Sequence, residues 1–363
     1  MTPRERLLAP FRGVTPDRPC WTADLTYWYT AAIERGRLDP RYQGSEGFKR
    51  LHEDLGVCYY YHYGAGVFTS SFDGVETAEQ TEGQVRRRWW RTPVGELEER
   101  WEYLPQSCCW AHVEYPVRTA AQLKVVQDLF RRTRHTPTPR IYEEAAEFLG
   151  ELGLPIAAAP RAPLPALMAD WCGVMSTIYL LADEPAAVAD TLGSIDHAND
   201  AAFDCLAAGP AELVHFCDNL DSGNCASLFA GHMEEYYHRR LARLHAAGRF
   251  AAVHLDGTVR GLLPKLAACG FDAVESITPA PVGDVEVEDL RTVAAADRTI
   301  LWGGIPGAMF AAPWTESQVR EHTRRLLAAE GNHGRLIVAS ADQIPPDGRI
   351  ELCRAIAETI ETF

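Results

Sequence analysis

Phe250-Ala251-Ala252-Val253-His254-Leu255-Asp256 is an apolar run that ends in polar residues and is followed at once by Gly257. A run without polar alternation reads as a parallel strand covered on both faces, and its polar end as a place where chemistry could sit. Working outward, seven further runs of this kind occur at 19–24, 57–63, 154–159, 212–217, 271–277, 299–305 and 335–341, separated by longer stretches with helical signals. Eight strands with helical crossovers predict an α/β fold, a closed (β/α)8 TIM barrel, because closure leaves no edge and right-handed crossovers put every helix outside. An open doubly wound sheet would want a glycine-rich phosphate turn after an early strand, and none is visible.

Local punctuation agrees with this reading. Thr2-Pro3-Arg4-Glu5 caps a first helix that Gly13 ends, Asp183-Glu184-Pro185 opens another, and Thr315-Glu316-Ser317-Gln318 is a capping box for a helix closed by Gly331. The interval 64–153 is too long for one crossover helix. Its turn signals at Asp73-Gly74, Glu82-Gly83 and Thr92-Pro93-Val94-Gly95 predict an antiparallel hairpin or small sheet, an insertion over 64–118 after the second strand. Residues 1–363 then form a single barrel domain, and the insertion is expected to wall or lid the pocket.

Composition bounds the function. The chain is 47% hydrophobic and 23% charged, as in an ordinary globular protein, and 35 basic against 50 acidic side chains leave a net charge of −15. That balance argues against a nucleic-acid binder built on phosphate neutralisation. No run of eighteen apolar residues occurs and the first residues lack the layout of an export signal, so a cytoplasmic location without membrane contact is expected. The ten cysteines show no CxxC spacing and read as reduced, small hydrophobes rather than a disulfide scaffold or zinc ribbon.

In a barrel the reactive groups sit at the carboxyl ends of the strands, which turns the polar residues into a ring. The ring holds Asp24 after the first run, Tyr60 and His62 on the second, Arg161 after the third and Asp218-Asn219 after the fourth. It continues with His254 and Asp256 on the fifth, Glu275 on the sixth, Trp302 on the seventh and Asp342-Gln343 after the eighth. His254 and Asp256, two apart on a strand, point to the same side. With Asp342 brought close by closure, and Glu275 between, they offer one imidazole and two or three carboxylates, a set suited to zinc, manganese or iron.

Blander readings stand beside these. A His-x-Asp pair on a strand also serves as a structural hydrogen-bonded couple, and crowded carboxylates can raise one another's pKa so that one acts as a general acid without metal. Asp218 could cap a loop and Asn219 satisfy backbone; Arg161 could clamp an anion or pair with neighbouring acids. Trp21, Tyr27, Trp28, Tyr29, Tyr59, Tyr60, Tyr61 and Tyr63 could wall a planar or aromatic ligand, or simply pack the barrel.

At these residues the chain resembles the uroporphyrinogen decarboxylase superfamily, a barrel family of decarboxylases and corrinoid-linked methyltransferases. The likeness rests on Thr2-Pro3-Arg4-Glu5-Arg6 with Pro16-Asp17-Arg18-Pro19, Thr92-Pro93-Val94-Gly95, Asp218-Asn219 and His254-Leu255-Asp256-Gly257. It continues through Gly270-Phe271-Asp272-Ala273-Val274-Glu275, Gly303-Gly304-Ile305-Pro306 and Asp342-Gln343-Ile344-Pro345-Pro346. The decarboxylase branch clamps a tetrapyrrole with an Arg-Gln-Ala-Gly-Arg segment; the matching Trp21-Thr22-Ala23-Asp24-Leu25-Thr26 has neither arginine. The methyltransferase branch binds zinc through a His-x-Cys and a later Cys. His254 matches that histidine, while Asp256 and Asp342 fall where the thiolates would be.

The resemblance therefore implies a methyltransferase-like branch whose metal shell, if kept, is His254, Asp256 and Asp342. Carboxylate ligands leave a metal harder than thiolates do and better matched to oxygen than to a thiol. The leading expectation is transfer of a methyl group from an oxygen- or nitrogen-bearing small molecule to a corrinoid on a separate protein, since the chain shows no cobalamin-binding segment of its own. His254, Asp256, Glu275 and Asp218 would be catalytic, and Asp24, Tyr60, His62, Arg161, Asn219, Trp302 and Gln343 would contact substrate. The alternatives are a cofactor-independent decarboxylase or lyase on a small carboxylic acid, with Arg161 fixing the carboxylate, and a non-catalytic ligand-binding barrel. A homodimer is a further implication of the resemblance.

Overall fold

The computed structural model describes residues 1–64 and 66–363. In chain order its strands are β1 Cys20–Asp24, β2 Phe68–Phe72, β3 Glu76–Glu82, β4 Val85–Thr92, β5 Gly95–Leu104, β6 Cys109–Glu114 and β7 Thr133–Pro137. They continue as β8 Ala157–Ala159, β9 Leu213–Leu220, β10 Phe250–Leu255, β11 Ala273–Ile277, β12 Ile300–Pro306 and β13 Leu336–Gln343. Seven of these make one curled sheet in the order β1-β13-β12-β11-β10-β9-β8, parallel at every pairing.

The eighth run differs from expectation. Residues 57–63 form no regular strand but touch both ends of the sheet, through single parallel bridges Thr22↔Cys58 and Tyr59↔Gly153. Cys58 N–H donates to the Trp21 carbonyl (2.8 Å), and Leu154 N–H to the Tyr59 carbonyl (3.1 Å). Pairing stops there because Tyr60 N–H donates to Cys58 O (3.1 Å) and His62 N–H to Tyr60 O (2.7 Å). Such i→i−2 bonds tighten the chain and remove it from the ladder.

Alternation along the strands sorts the core into two layers. Cys20, Tyr60, Leu154, Ile156, Leu213, Ala252, Ala273, Ile300, Trp302, Ile337 and Ala339 pack together inside the sheet. Their neighbours Trp21, Val214, Phe216, Val253, Leu255, Val274, Leu301 and Val338 face outward toward the helices. The short helix Pro3–Leu8 starts at the expected capping box of Thr2 and Glu5, and sends Leu7 and Leu8 into the inner layer together with Phe11. The bottom of the cylinder is thus plugged with apolar side chains, and polar inward positions collect at the other end.

Between residues 64 and 153 the strands are antiparallel. β3, β4, β5 and β6 form a meander joined at the turn residues 83–84, 93–94 and 105–108. The Asp73-Gly74 turn does not close a hairpin: β2 pairs instead with β7, beyond the helix Ala120–Arg131, so antiparallel structure runs past residue 118. Arg132 helps fix this arrangement, since its carbonyl accepts from Asp73 N–H at 2.9 Å. Among the described residues no helix is long and apolar enough to cross a membrane.

Candidate active site

Inward parity along β11 places Glu275 at the centre of the upper barrel, fully buried. Three side chains reach it. His254 Nδ1 on β10 lies 2.7 Å from Oε2, Tyr61 donates its hydroxyl to Oε1 at 2.6 Å, and His215 Nε2 on β9 lies 3.3 Å from Oε2. That last approach is electrostatic rather than a directed hydrogen bond, for His215 Nε2 has no hydrogen-bond partner, while its Nδ1 lies 3.3 Å from the Tyr60 hydroxyl.

The charges interlock. Burial opposes ionisation of Glu275, but His254 and His215 outweigh it and hold the carboxyl below the usual range. Burial would likewise depress His254; the charge and hydrogen bond of Glu275, aided by Asp342 and Asp256, instead push the imidazole up to about 9. Asp342 responds in the opposite sense. Burial, Glu275, Asp24 and Asp256 raise it to about 7 against the attraction of His254.

His254, Asp256 and Asp342 each offer one ligand atom, and these atoms lie within 4.8 Å of one another. Asp256 follows β10 directly and accepts from Gly257 N–H at 2.6 Å. Gly257 has φ of +60°, and a side-chain carbon there would come within 2.6 Å of Asp221 Oδ2. That carboxylate is holding Thr258 N–H and hydroxyl, each at 2.9 Å, so the turn after Asp256 requires glycine. His215, His254 and Glu275 form a second cluster of the same kind, but Glu275 is already held by His254 and the Tyr61 hydroxyl.

Asp24 and Gln343 meet beside this cluster. Asp24 accepts from Tyr63 OH (2.5 Å), Gln343 Nε2 (3.1 Å), and both N–H (2.8 Å) and hydroxyl (2.5 Å) of Thr26. Burial raises its pKa and these donors partly offset the rise. Tyr63 keeps 56% of its surface exposed, so its ring stands at the rim while its hydroxyl points down.

Several expected site residues lie elsewhere. Trp302 belongs to the packed inner floor, fully buried, with Nε1 donating to Thr22 Oγ1 at 2.9 Å, so it cannot line the mouth. Tyr60 is also fully buried, beneath His215. His62 turns outward, its Nδ1 3.2 Å from the hydroxyl of Tyr59 in the outer layer. Asp218 points away from the barrel axis, accepting from Ala162 N–H (2.8 Å) and Tyr237 OH (2.7 Å); it anchors a loop rather than facing substrate. Arg161 donates Nη1 to the Cys217 carbonyl and its Nε lies 3.2 Å from Asp170, so most of the guanidinium is committed to these partners. Asn219 is exposed, with φ of +50°.

His215 escaped the sequence reading, and Tyr61 entered it only as one of several aromatics, not as a partner of Glu275. The signal for His215 was its place in the run 212–217, on the same parity as the inward Leu213. Tyr61 carried none, because two successive tyrosines both face inward only through the tight bonding at residues 58–62. A cavity of about 640 Å³ lies apart from this cluster, between β3–β5 and the helical segment 160–171.

The family model for uroporphyrinogen decarboxylase (URO-D) matches residues 103–363. Among curated proteins no relative matches. Among solved structures the chain is similar to a methyltransferase from Methanosarcina mazei, at 14% identity and a TM-score of 0.64, over 100% of this chain and 99% of that one. At that identity the likeness speaks for the fold alone.

Proposed function

Because the chain belongs to the uroporphyrinogen decarboxylase family, we propose that it is a methyltransferase of the barrel type, acting on a methylated oxygen or nitrogen of a small molecule, with a corrinoid on a separate protein as methyl acceptor. The observation that carries this reading is the convergence of His254, Asp256 and Asp342 at the open end of the barrel.

The residues fit a divalent ion. Glu275 holds His254 through Nδ1, which leaves Nε2 as the ligand nitrogen and fixes the ring as carboxylate partners of metal-bound imidazoles do. Four carboxylates, Asp24, Asp256, Glu275 and Asp342, crowd the two imidazoles His215 and His254; burial first, and then the negative charge of the other three, raises the pKa of Asp342. A bound zinc, manganese or iron ion would supply Lewis-acid polarisation of the leaving oxygen or nitrogen. Around it, Glu275 keeps His254 oriented and Tyr61 keeps Glu275 in place. Tyr63 offers an aromatic rim for a planar substrate, and the antiparallel unit from residue 64 onward walls the approach.

One observation favours a second reading, a cofactor-independent decarboxylase or lyase on a small acid. Asp342, at about 7, is partly protonated near neutrality and stands near the protonated His254, which suits general acid catalysis. The commitments of Arg161 count against it, since the expected carboxylate clamp is occupied.

The test is incubation of zinc-supplemented protein with cob(I)alamin and a panel of methyl ethers and methylamines. Formation of methylcobalamin from at least one donor, lost in His254→Ala, supports the proposal. No methylcobalamin across the panel contradicts it, and carbon dioxide release from a small acid instead would favour the second reading.

A further inference from the structure

The cavity apart from the cluster takes no part in the proposed chemistry. Its volume of about 640 Å³ suits a small molecule. Phe72, Trp90, Phe130 and Trp171 contribute aromatic faces. Trp171 packs at 5.4 Å from Trp90 and 5.7 Å from Phe130 between ring centres, so three of the four form one continuous apolar wall.

The polar part of the lining is biased toward acceptors. Glu79, Glu99 and Asp170 face it against Arg88 and Arg161. Both arginines are engaged: Arg161 with Asp170 and the Cys217 carbonyl, Arg88 with Glu79 (2.8 Å) and Glu99 (3.4 Å). Acceptor capacity is left over: Glu99, 4% exposed, has an Oε1 with no hydrogen bond. Asp170 keeps 46% of its side-chain surface accessible, yet the surrounding protein raises its pKa, as expected for a carboxylate on the wall of a recess rather than on open surface.

An anion would meet arginines already largely committed to carboxylates. A neutral hydrocarbon would leave Glu99 Oε1 without a hydrogen-bond donor. A cation with an apolar body satisfies both features, because aromatic faces and a nearby carboxylate each attract it. We propose that this cavity is a second binding site, for a small organic cation of the arylalkylamine class, whose ammonium pairs with Asp170 and whose ring lies against Trp90 and Trp171. Arg161 connects the two sites, since a cation on Asp170 competes for that carboxylate with the guanidinium, which also holds the Cys217 backbone in β9.

The experiment is titration of the full-length protein with benzylamine and, separately, benzoate, followed by calorimetry and by tryptophan fluorescence. Asp170→Asn removes the charge, and Thr77→Trp, opposite Trp90 on the cavity face of the meander, fills the cavity from an exposed strand position. The proposal expects saturable benzylamine binding with quenched fluorescence, at least about tenfold weaker in Asp170→Asn, absent in Thr77→Trp, and benzoate at least about tenfold weaker than benzylamine. It is overturned by no saturable benzylamine binding up to about 10 mM, by binding that survives Thr77→Trp or is unchanged in Asp170→Asn, or by benzoate binding as tightly as benzylamine. None of these outcomes depends on metal or methyl transfer, so failure here leaves the reading of the barrel mouth standing, and the reverse.

Discussion

Glu275 Oε2 and His254 Nδ1 lie 2.7 Å apart inside the upper barrel, and Glu275 is the main influence that opposes burial and raises the pKa of His254. In metal-free protein the imidazole of His254 should therefore titrate near 9 by NMR. Glu275→Gln keeps the shape and removes the charge, leaving burial opposed only by Asp342 and Asp256, so the midpoint should fall well below 9. An unchanged midpoint would show that Glu275 does not set the charge of His254.

Asp218 makes a different prediction from the one its sequence position suggests. Asp218→Ala strands the buried donors Ala162 N–H and Tyr237 OH, each worth ~1–3 kcal/mol when left unsatisfied. Denaturant unfolding should report that loss, while zinc affinity stays within about twofold of the native protein, as for sites without shared partners. A large loss of metal affinity at unchanged stability would return Asp218 to the active site.

Trp302→Phe should likewise act on stability. The ring stays in the floor but the bond to Thr22 Oγ1 is lost, at a cost of ~1 kcal/mol. KM for any substrate should not change; a raised KM at native stability would mean that ligand reaches this depth.

A pH dependence follows from His52, which is buried and stacked on Tyr59 at 3.9 Å between ring centres. Burial lowers its pKa from 6.5 to about 4, outweighing the bond to Phe48 O. The folded state thus resists a proton that the unfolded chain accepts below 6.5, so stability is intact above that pH. It falls by up to ~1.4 kcal/mol per unit as pH drops toward 4. His52→Phe keeps the stack and removes the proton site, and its unfolding free energy should decline less between pH 7 and 4.5 than that of the native protein. Equal declines would contradict the assignment.

Much of this was legible in the sequence because covered parallel strands advertise themselves as unbroken apolar runs. The run ending at His254 and Asp256 and the one containing Glu275 fell within one or two residues of β10 and β11, and parity then fixed which side chains face inward. Parity failed where the backbone leaves the ladder. At residues 58–62 the tight bonds put Tyr60 and Tyr61 both inside and send His62 out. Trp302 was misjudged in height rather than direction, since a run gives the inward face but not how far up the barrel a residue sits. Asp218 was misjudged in direction, lying on the opposite parity from His215 and Cys217. The pairing of β2 with β7 joins segments sixty residues apart, beyond the reach of turn chemistry.

The most direct test is equilibrium dialysis of the purified, metal-depleted chain against zinc, followed by metal analysis. The account predicts one tightly held ion per chain, with affinity reduced about a hundredfold or more in both His254→Ala and Asp342→Ala. A native protein that holds no zinc, manganese or iron, or variants that retain the ion as tightly as the native chain, would contradict it.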